Sequence, residues 1–226
     1  MKLVIFDCDG TLVDSQNAIC AAMSTAFAAL ELPEPTRAEV LGVVGLSLPQ
    51  AFAVLAGTHS QAVQAKLAEL YRADFPGKRD PSVAHDPLYA GVGAAVAALA
   101  RRDDVVLGIA TGKSRRGVAR LLAREGWEGH FLTIQTADDN PSKPHPSMIL
   151  RAMREADAAP TSTLMVGDTT YDIEMACNAA VGALGVAWGY HAPDLLRRAG
   201  AHAVAQSGDG LVAAIDAQLA AQEALA

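Results

Sequence analysis

The run Val4-Ile5-Phe6 followed by Asp7-Cys8-Asp9-Gly10-Thr11 constrains this chain more than any other feature. A short apolar segment without polar alternation has the composition of a strand buried on both faces. It stops at two aspartates spaced i, i+2, which an extended backbone points to the same side. Two carboxylates at the end of a core strand repel each other and are costly to desolvate. A fold tolerates them there when a divalent cation offsets the charge. Gly10 lets the backbone leave the strand sharply, and Thr11 adds a hydroxyl beside the charged pair. Asp-Gly also marks hairpins, but no alternating strand follows, so the hairpin reading is the weaker one.

Further apolar runs recur at Val105–Ala110, Phe131–Gln135, Leu164–Val166 and Ala183–Ala187, with a short one at His202–Val204. Helical patterns separate them at Ser114–Glu125, Ser147–Ala156 and Asp172–Ala180, and an Ala-rich amphipathic segment, Leu211–Leu225, closes the chain. Strands alternating with helices predict an α/β fold with a doubly wound parallel sheet covered on both faces. Such sheets bind ligands at the carboxyl ends of their strands. Asp7, Asp9, Thr111 and Asp168 all fall at strand carboxyl ends, so they are expected to converge.

Between Ser15 and Ser82 the alternation breaks into consecutive helical patterns: Gln16–Glu31, Arg37–Gly42, Pro49–Ala56 and Gln61–Asp74. Pro33, Pro35, Gly45, Gly57 and a Phe75-Pro76-Gly77 turn punctuate them. The expected organisation is a core of residues 1–14 plus 83–226 and a helical insertion of residues 15–82. Hinges are expected near Asp14–Gln16 and Pro81–Tyr89. Helices packed directly on the sheet are the alternative, which periodicity does not separate from an insertion.

A chain of 226 residues, 51% hydrophobic, supplies one sizeable core and a small accessory unit. A net charge of −7 without any basic block argues against a nucleic-acid partner. Cys8, Cys20 and Cys177 lack metal-site spacing, and their odd number fits a reducing cytoplasm. The apolar run after Lys2 is too short for a signal peptide. The Ala-rich tracts are interrupted by charge, so no membrane partner is expected. Nothing in the pattern sets an oligomeric state.

Three later segments complete a set with the first. Leu107-Gly108-Ile109-Ala110-Thr111-Gly112-Lys113 is an apolar strand ending in Thr-Gly. Lys143-Pro144-His145-Pro146 sets a lysine before an amphipathic segment. Leu164-Met165-Val166-Gly167-Asp168-Thr169-Thr170-Tyr171-Asp172 ends a strand in Gly-Asp, with a second aspartate four residues on. In this order the four segments resemble the motifs of the haloacid dehalogenase superfamily in its phosphatase form. The match runs from Lys2 to about Gly189, and the helical block resembles that family's cap domain.

The resemblance implies a Rossmann-like core and a phosphatase acting on a small phosphorylated metabolite, most like the phosphoglycolate phosphatase branch. Asp7 is then the nucleophile that forms an aspartyl-phosphate. Asp9 is the general acid and base; relatives that cleave carbon–halogen bonds usually lack it, since a halide leaves without a proton. Thr111, the Gly112 amide and Lys143 stabilise the transferring phosphoryl group. The implied cofactor is Mg2+, held by the Asp7 side chain, the Asp9 backbone carbonyl and the Asp168 side chain. Asp172, one helical turn beyond Asp168 if a helix starts there, holds a metal-bound water or Lys143. Substrate contacts are assigned to Gly10, Thr11 and Gly112 in the core and to Gly45, Leu46 and Ser47 in the cap. A phosphosugar mutase on the same core is the alternative activity. A non-catalytic binding protein is disfavoured, because Asp7, Asp9, Lys143 and Asp168 are all present.

Other residues carry weaker readings. His59, His85 and His145 read as loop histidines. Trp188-Gly189-Tyr190-His191 reads as packing under the cap rather than as an entrance. Arg115 and Arg116 open the helix after Thr-Gly; they can meet a substrate anion, but exposed arginines usually do nothing so specific. Ala180 departs from the family pattern, which commonly has glycine at this helix end.

Overall fold

The computed structural model describes residues 1–74 and 86–224. Six strands form one parallel sheet: β1 (Lys2–Phe6), β2 (Val105–Thr111), β3 (Phe131–Thr136), β4 (Thr163–Gly167), β5 (Gly182–Val186) and β6 (Ala203–Ala205). Their order, β3-β2-β1-β4-β5-β6, is the doubly wound arrangement that the alternation predicts, and it reverses direction at β1. The register sets Phe6 beside Ile109 of β2 and Val166 of β4. The carboxyl ends of the three central strands therefore lie within two residues of one another.

After β1 the chain leaves the core and builds α1 (Gln16–Ala28), α2 (Arg37–Gly42), α3 (Leu48–Leu55) and α4 (Gln61–Asp74). These are the four helices predicted for the inserted block. They gather an apolar cluster of their own, with Ile19, Met23, Phe27, Val40, Phe52, Leu67 and Tyr71 at its heart. Phe52 lies 6.2 Å from both Phe27 and Tyr71, edge-on to the latter. The chain re-enters beside its point of exit: Val13 forms an antiparallel bridge with Leu88, and the Asp14 amide donates to Pro87 O at 2.8 Å. The Phe75-Pro76-Gly77 turn, His85, the boundary at residue 82 and the second hinge up to residue 85 lie outside the described residues.

The core helices are α5 (Val92–Ala100), α6 (Arg115–Glu125), α7 (Ser147–Ala156), α8 (Thr170–Asn178), α9 (Pro193–Arg198) and α10 (Leu211–Glu223). Pleating sends alternate residues of β1 to opposite layers. Val4 and Phe6 pack with Val96, Val118 and Ile215 from α5, α6 and α10. Leu3 and Ile5 pack with Ile149, Ile173 and Leu196 from α7, α8 and α9. With both faces covered, the strand carries no polar residue between Lys2 and its end. Two helices lack a sequence signal: α5 (VGAAVAALA) has no polar face to set a period, and α9 is six residues long.

Helix α8 begins and ends two residues earlier than the pattern suggests. Thr169 is its N-cap, and Asp172 completes a capping box by accepting from the Thr169 amide. Asp168 therefore precedes the helix and does not share a helix face with Asp172. At the other end, Ala180 adopts the left-handed conformation at φ 55°. The Val181 amide donates to Ala176 O and the Ala180 amide to Cys177 O, the bonding of a Schellman motif. An exposed alanine there carries a cost of roughly 1–2 kcal/mol that glycine avoids. Ala180→Gly is expected to stabilise the protein by about 1 kcal/mol, seen as a higher urea midpoint at unchanged slope. An unchanged or lower midpoint would show that this turn holds no strain.

Candidate active site

Asp7 is the first residue past β1, and its amide donates to Val166 O at 3.0 Å, which pins it against β4. Asp168 is the first residue past β4, and Thr111 is the last of β2. Lys143 reaches the same point from the loop before α7 and is fully buried. Its Nζ donates to Asp172 Oδ1 at 2.6 Å and lies 2.9 Å from Asp7 Oδ2. That second contact lacks hydrogen-bond geometry, so Asp7 Oδ2 is a buried oxygen without a hydrogen bond. Asp7 Oδ1 accepts from the Cys8 amide at 2.7 Å. One carboxylate oxygen each from Asp7, Asp168 and Asp172 lies within 4.8 Å of the others.

Asp168 is held tightly from both sides. Its Oδ1 accepts from Thr11 Oγ1 at 2.7 Å and its Oδ2 from the Tyr190 amide at 2.9 Å. Gly10, at φ 87°, and Gly189 pass so close that a Cβ on either would lie about 2 Å from Asp168 atoms. Gly10 and Thr11, expected at the substrate, thus pack against Asp168, and neither lines the cavity described below. The reason is the left-handed Gly10, which turns the loop back across β4.

Burial dominates the electrostatics. It pushes the Asp7 carboxyl up to about 6 in spite of Lys143 alongside. It drives Asp168 well above the usual carboxylate range, with Asp172 and Asp7 adding to the rise. Burial also works to discharge Lys143, but Asp172 and Asp7 outweigh it and hold the ammonium charged. Three carboxylates and one lysine leave an excess of negative charge in a dry volume.

Asp9 sits apart from this cluster. Its Oδ1 accepts from Ser15 Oγ at 2.7 Å and from Lys113 Nζ at 2.6 Å. Thr111 Oγ1 accepts from the Lys113 amide at 3.2 Å, which leaves its own hydrogen to donate elsewhere. A cavity of about 820 Å³ opens over Asp7, Asp9, Thr111 and Gly112. Gly45, Leu46 and Ser47 line it as expected for the loop between α2 and α3. The Gly45 and Leu46 carbonyls press so close to Gly112 that a Cβ there would sit 2.8–2.9 Å from them. The Ser47 amide donates to Ser142 Oγ at 2.8 Å, tying this loop to the core.

Sequence reasoning assigned no part to Lys113, Ser15 or Ser142. Lys113 carried a signal: a cation two residues past the strand-end threonine in an acidic chain. The bonds of Ser15 and Ser142 join distant segments, and no local pattern announces them. Tyr190 packs against the inserted helices as expected, Trp188 packs instead on the core beside Tyr89, and each also touches the site loop. Trp188 Nε1 donates to Thr11 O, and the Tyr190 hydroxyl meets Ser15. His145 is exposed, and Arg115 pairs with Asp139.

Residues 4–186 match the family model described as haloacid dehalogenase-like hydrolase. The chain belongs to this family of hydrolases. It is 35% identical over 221 residues to a "probable phosphatase IndB" of Dickeya dadantii, covering 96% of this chain and 94% of that one. It is 30% identical over 200 residues to a phosphoglycolate phosphatase of Vibrio vulnificus, covering 84% and 86%. The crystal structure of a predicted phosphatase from Clostridium acetobutylicum superposes with a TM-score of 0.84 at 23% identity, covering 96% of this chain and 98% of that one, a likeness of fold. Among the described residues no helix is long and apolar enough to cross a membrane.

The two close glycines make the site testable without touching a charged group. In Gly189→Ala a Cβ would sit 2.0 Å from Asp168 Cβ, so Asp168 or its supporting loop must shift, and a displacement near 1 Å costs roughly 100-fold in rate. The expected result is a loss of that order in kcat/KM with the fold retained by circular dichroism. Activity within a few-fold of the parent would mean that the placement of Asp168 is not critical.

Proposed function

We propose that this hydrolase is a magnesium-dependent phosphomonoesterase that cleaves a small phosphorylated metabolite through a phosphoryl group held on Asp7. One observation carries the reading. The buried Asp7 Oδ2 has no hydrogen bond and stands against a charged lysine, and Asp7 lines a cavity large enough for an organic ester.

The donor set fits a hard divalent cation. Its ligands are carboxylate oxygens, they are buried, and their charge exceeds that of Lys143. Asp7 and Asp168 would hold Mg2+ through their side chains, and Asp9 through its backbone carbonyl. Both oxygens of Asp172 are engaged, by Lys143 and by Thr169, so Asp172 positions the lysine. When bound, the metal neutralises the carboxylates and the phosphoryl oxygens.

The chain's own groups then act in sequence. Asp7 Oδ2 bonds to phosphorus as the bond from phosphorus to the ester oxygen breaks. Asp9 gives its proton to the departing alkoxide. It next takes a proton from the water that attacks the phosphoryl group, so that inorganic phosphate leaves and Asp7 is restored. Lys143, the Thr111 hydroxyl and the Gly112 amide stabilise charge on the phosphoryl oxygens without reorganising. The inserted helices serve as a cap, and Gly45, Leu46 and Ser47 exclude water over the bond being cleaved.

Hydrolysis of 4-nitrophenyl phosphate is expected to require Mg2+, to fall to background in excess chelator and to return when Mg2+ is restored. Full activity in chelator removes the metal from the mechanism. Asp7→Asn is expected to stop turnover of every ester. Asp9→Asn is expected to lose roughly 100- to 10,000-fold on alkyl phosphates, whose leaving group needs a proton, and much less on the aryl ester. Equal losses on both would falsify the acid role of Asp9.

A further inference from the structure

The cavity above Asp7 is lined by Lys113 and three arginines beside Asp7, Asp9 and Asp138, and the arginines lie outside the motif residues. Helix α6 holds four arginines. Arg115 pairs with Asp139 and Arg124 with Glu125. Arg116 and Arg120 instead line the cavity, and Arg72 of α4 lines it from the inserted helices. Among the described residues, these three guanidiniums have no hydrogen bond or ion pair.

All three residues are exposed, so water carries most of the cost of leaving them unpaired and a modest repulsion remains. Arg116 and Arg120 are spaced i, i+4 on one helix face, where like charges repel. Arg116 also stands in the first turn of α6, which has no acidic residue of its own, and the carboxylate that meets that helix end is Asp138, which accepts from the Arg115 amide at 2.8 Å. The chain has a net charge of −7, so carboxylates to pair with are not scarce. An anionic ligand would relieve that repulsion, and guanidinium forks suit carboxylate and phosphate.

The rest of the lining describes the body of that ligand. Met23, Val40, Val44 and Tyr71 give the cavity an apolar cap wall. Its volume of about 820 Å³ lies near the upper end of small-molecule sites. A two-carbon phosphate ester would leave most of it unfilled.

We propose that Arg72, Arg116 and Arg120 form a second anion subsite. The substrate is then a phosphomonoester with a largely apolar organic part that carries a second anionic group, carboxylate or phosphate, away from the scissile ester. This rests on the phosphatase reading above. Arg72 belongs to the inserted helices and the other two to the core, so the second anion also links the two across the cavity.

Matched esters test the subsite: phenyl phosphate, 4-carboxyphenyl phosphate and 1,4-phenylene bisphosphate, assayed with the full chain and Mg2+. The parent is expected to prefer one or both charged esters. In Arg116→Gln/Arg120→Gln that preference, as a ratio of kcat/KM to phenyl phosphate, should fall about tenfold or more, chiefly through KM. Arg72→Gln should act in the same direction. The charge-matched pair Arg154→Gln/Arg198→Gln, outside the cavity lining, should leave the ratio in place. Which charged ester responds tells carboxylate from phosphate. No preference in the parent, or an equal loss on all three esters, overturns the subsite. Calorimetric binding of the same esters to the Asp7→Asn protein separates the two readings. If the parent hydrolyses none of them, the phosphatase reading fails, while the binding preference and its loss on removing the arginines still decide the subsite.

Discussion

Three carboxylates and one ammonium share a volume sealed from water, and much of the architecture serves to keep them there. Left alone, such a cluster would protonate or disperse, because an uncompensated buried charge costs several kcal/mol. The fold answers with constraints that are individually modest. Asp7 is pinned through its amide to β4. Asp168 is wedged between two glycines and fed by two donors. Asp172 is fixed by the cap of its own helix. Lys143 is placed where it meets two of the three. On the proposed chemistry, a metal ion supplies the remaining positive charge.

The inserted helices stand to this cluster as a roof with its own foundations. Their apolar residues satisfy one another around Phe52. Their contact with the core falls to a loop and a few polar bonds, such as Ser47 to Ser142 and Tyr171 to the Gly42 carbonyl. An element that is internally packed but lightly fastened can shift as a unit at small energetic cost.

The parts of this protein legible in its sequence are those where one physical demand governs a run of neighbours. The sheet was visible because strands covered on both faces are apolar throughout, as Leu3 to Phe6 are. The candidate residues Asp7, Thr111 and Asp168 were visible because each ends or follows such a strand and is polar where the run should be apolar. Helices α6 and α7 were visible through their amphipathic period, whereas α5, apolar on every side, had none. What stayed hidden depends on contacts between distant segments. The Lys113–Asp9 pair spans two strand ends. The demand for glycine at 189 comes from a carboxylate twenty-one residues earlier. The turn of Gly10 onto Asp168 moved two expected substrate contacts into a supporting position. Ala180 is intermediate: the missing glycine was noticeable, but that alanine accepts the left-handed backbone emerged only from the structure.

The central place of β1 has a consequence for how the chain is made. Leu3 pairs with Val106 on one side and Thr163 on the other, so β1, the first of the six strands in chain order, has both neighbours only once the chain through β4 exists. Until then an entirely apolar edge waits in solvent, the kind of surface that chaperones bind and that aggregates when they do not. The inserted helices, built from local contacts, are free to form in the interval. Assembly therefore proceeds from roof to floor, and the site closes last.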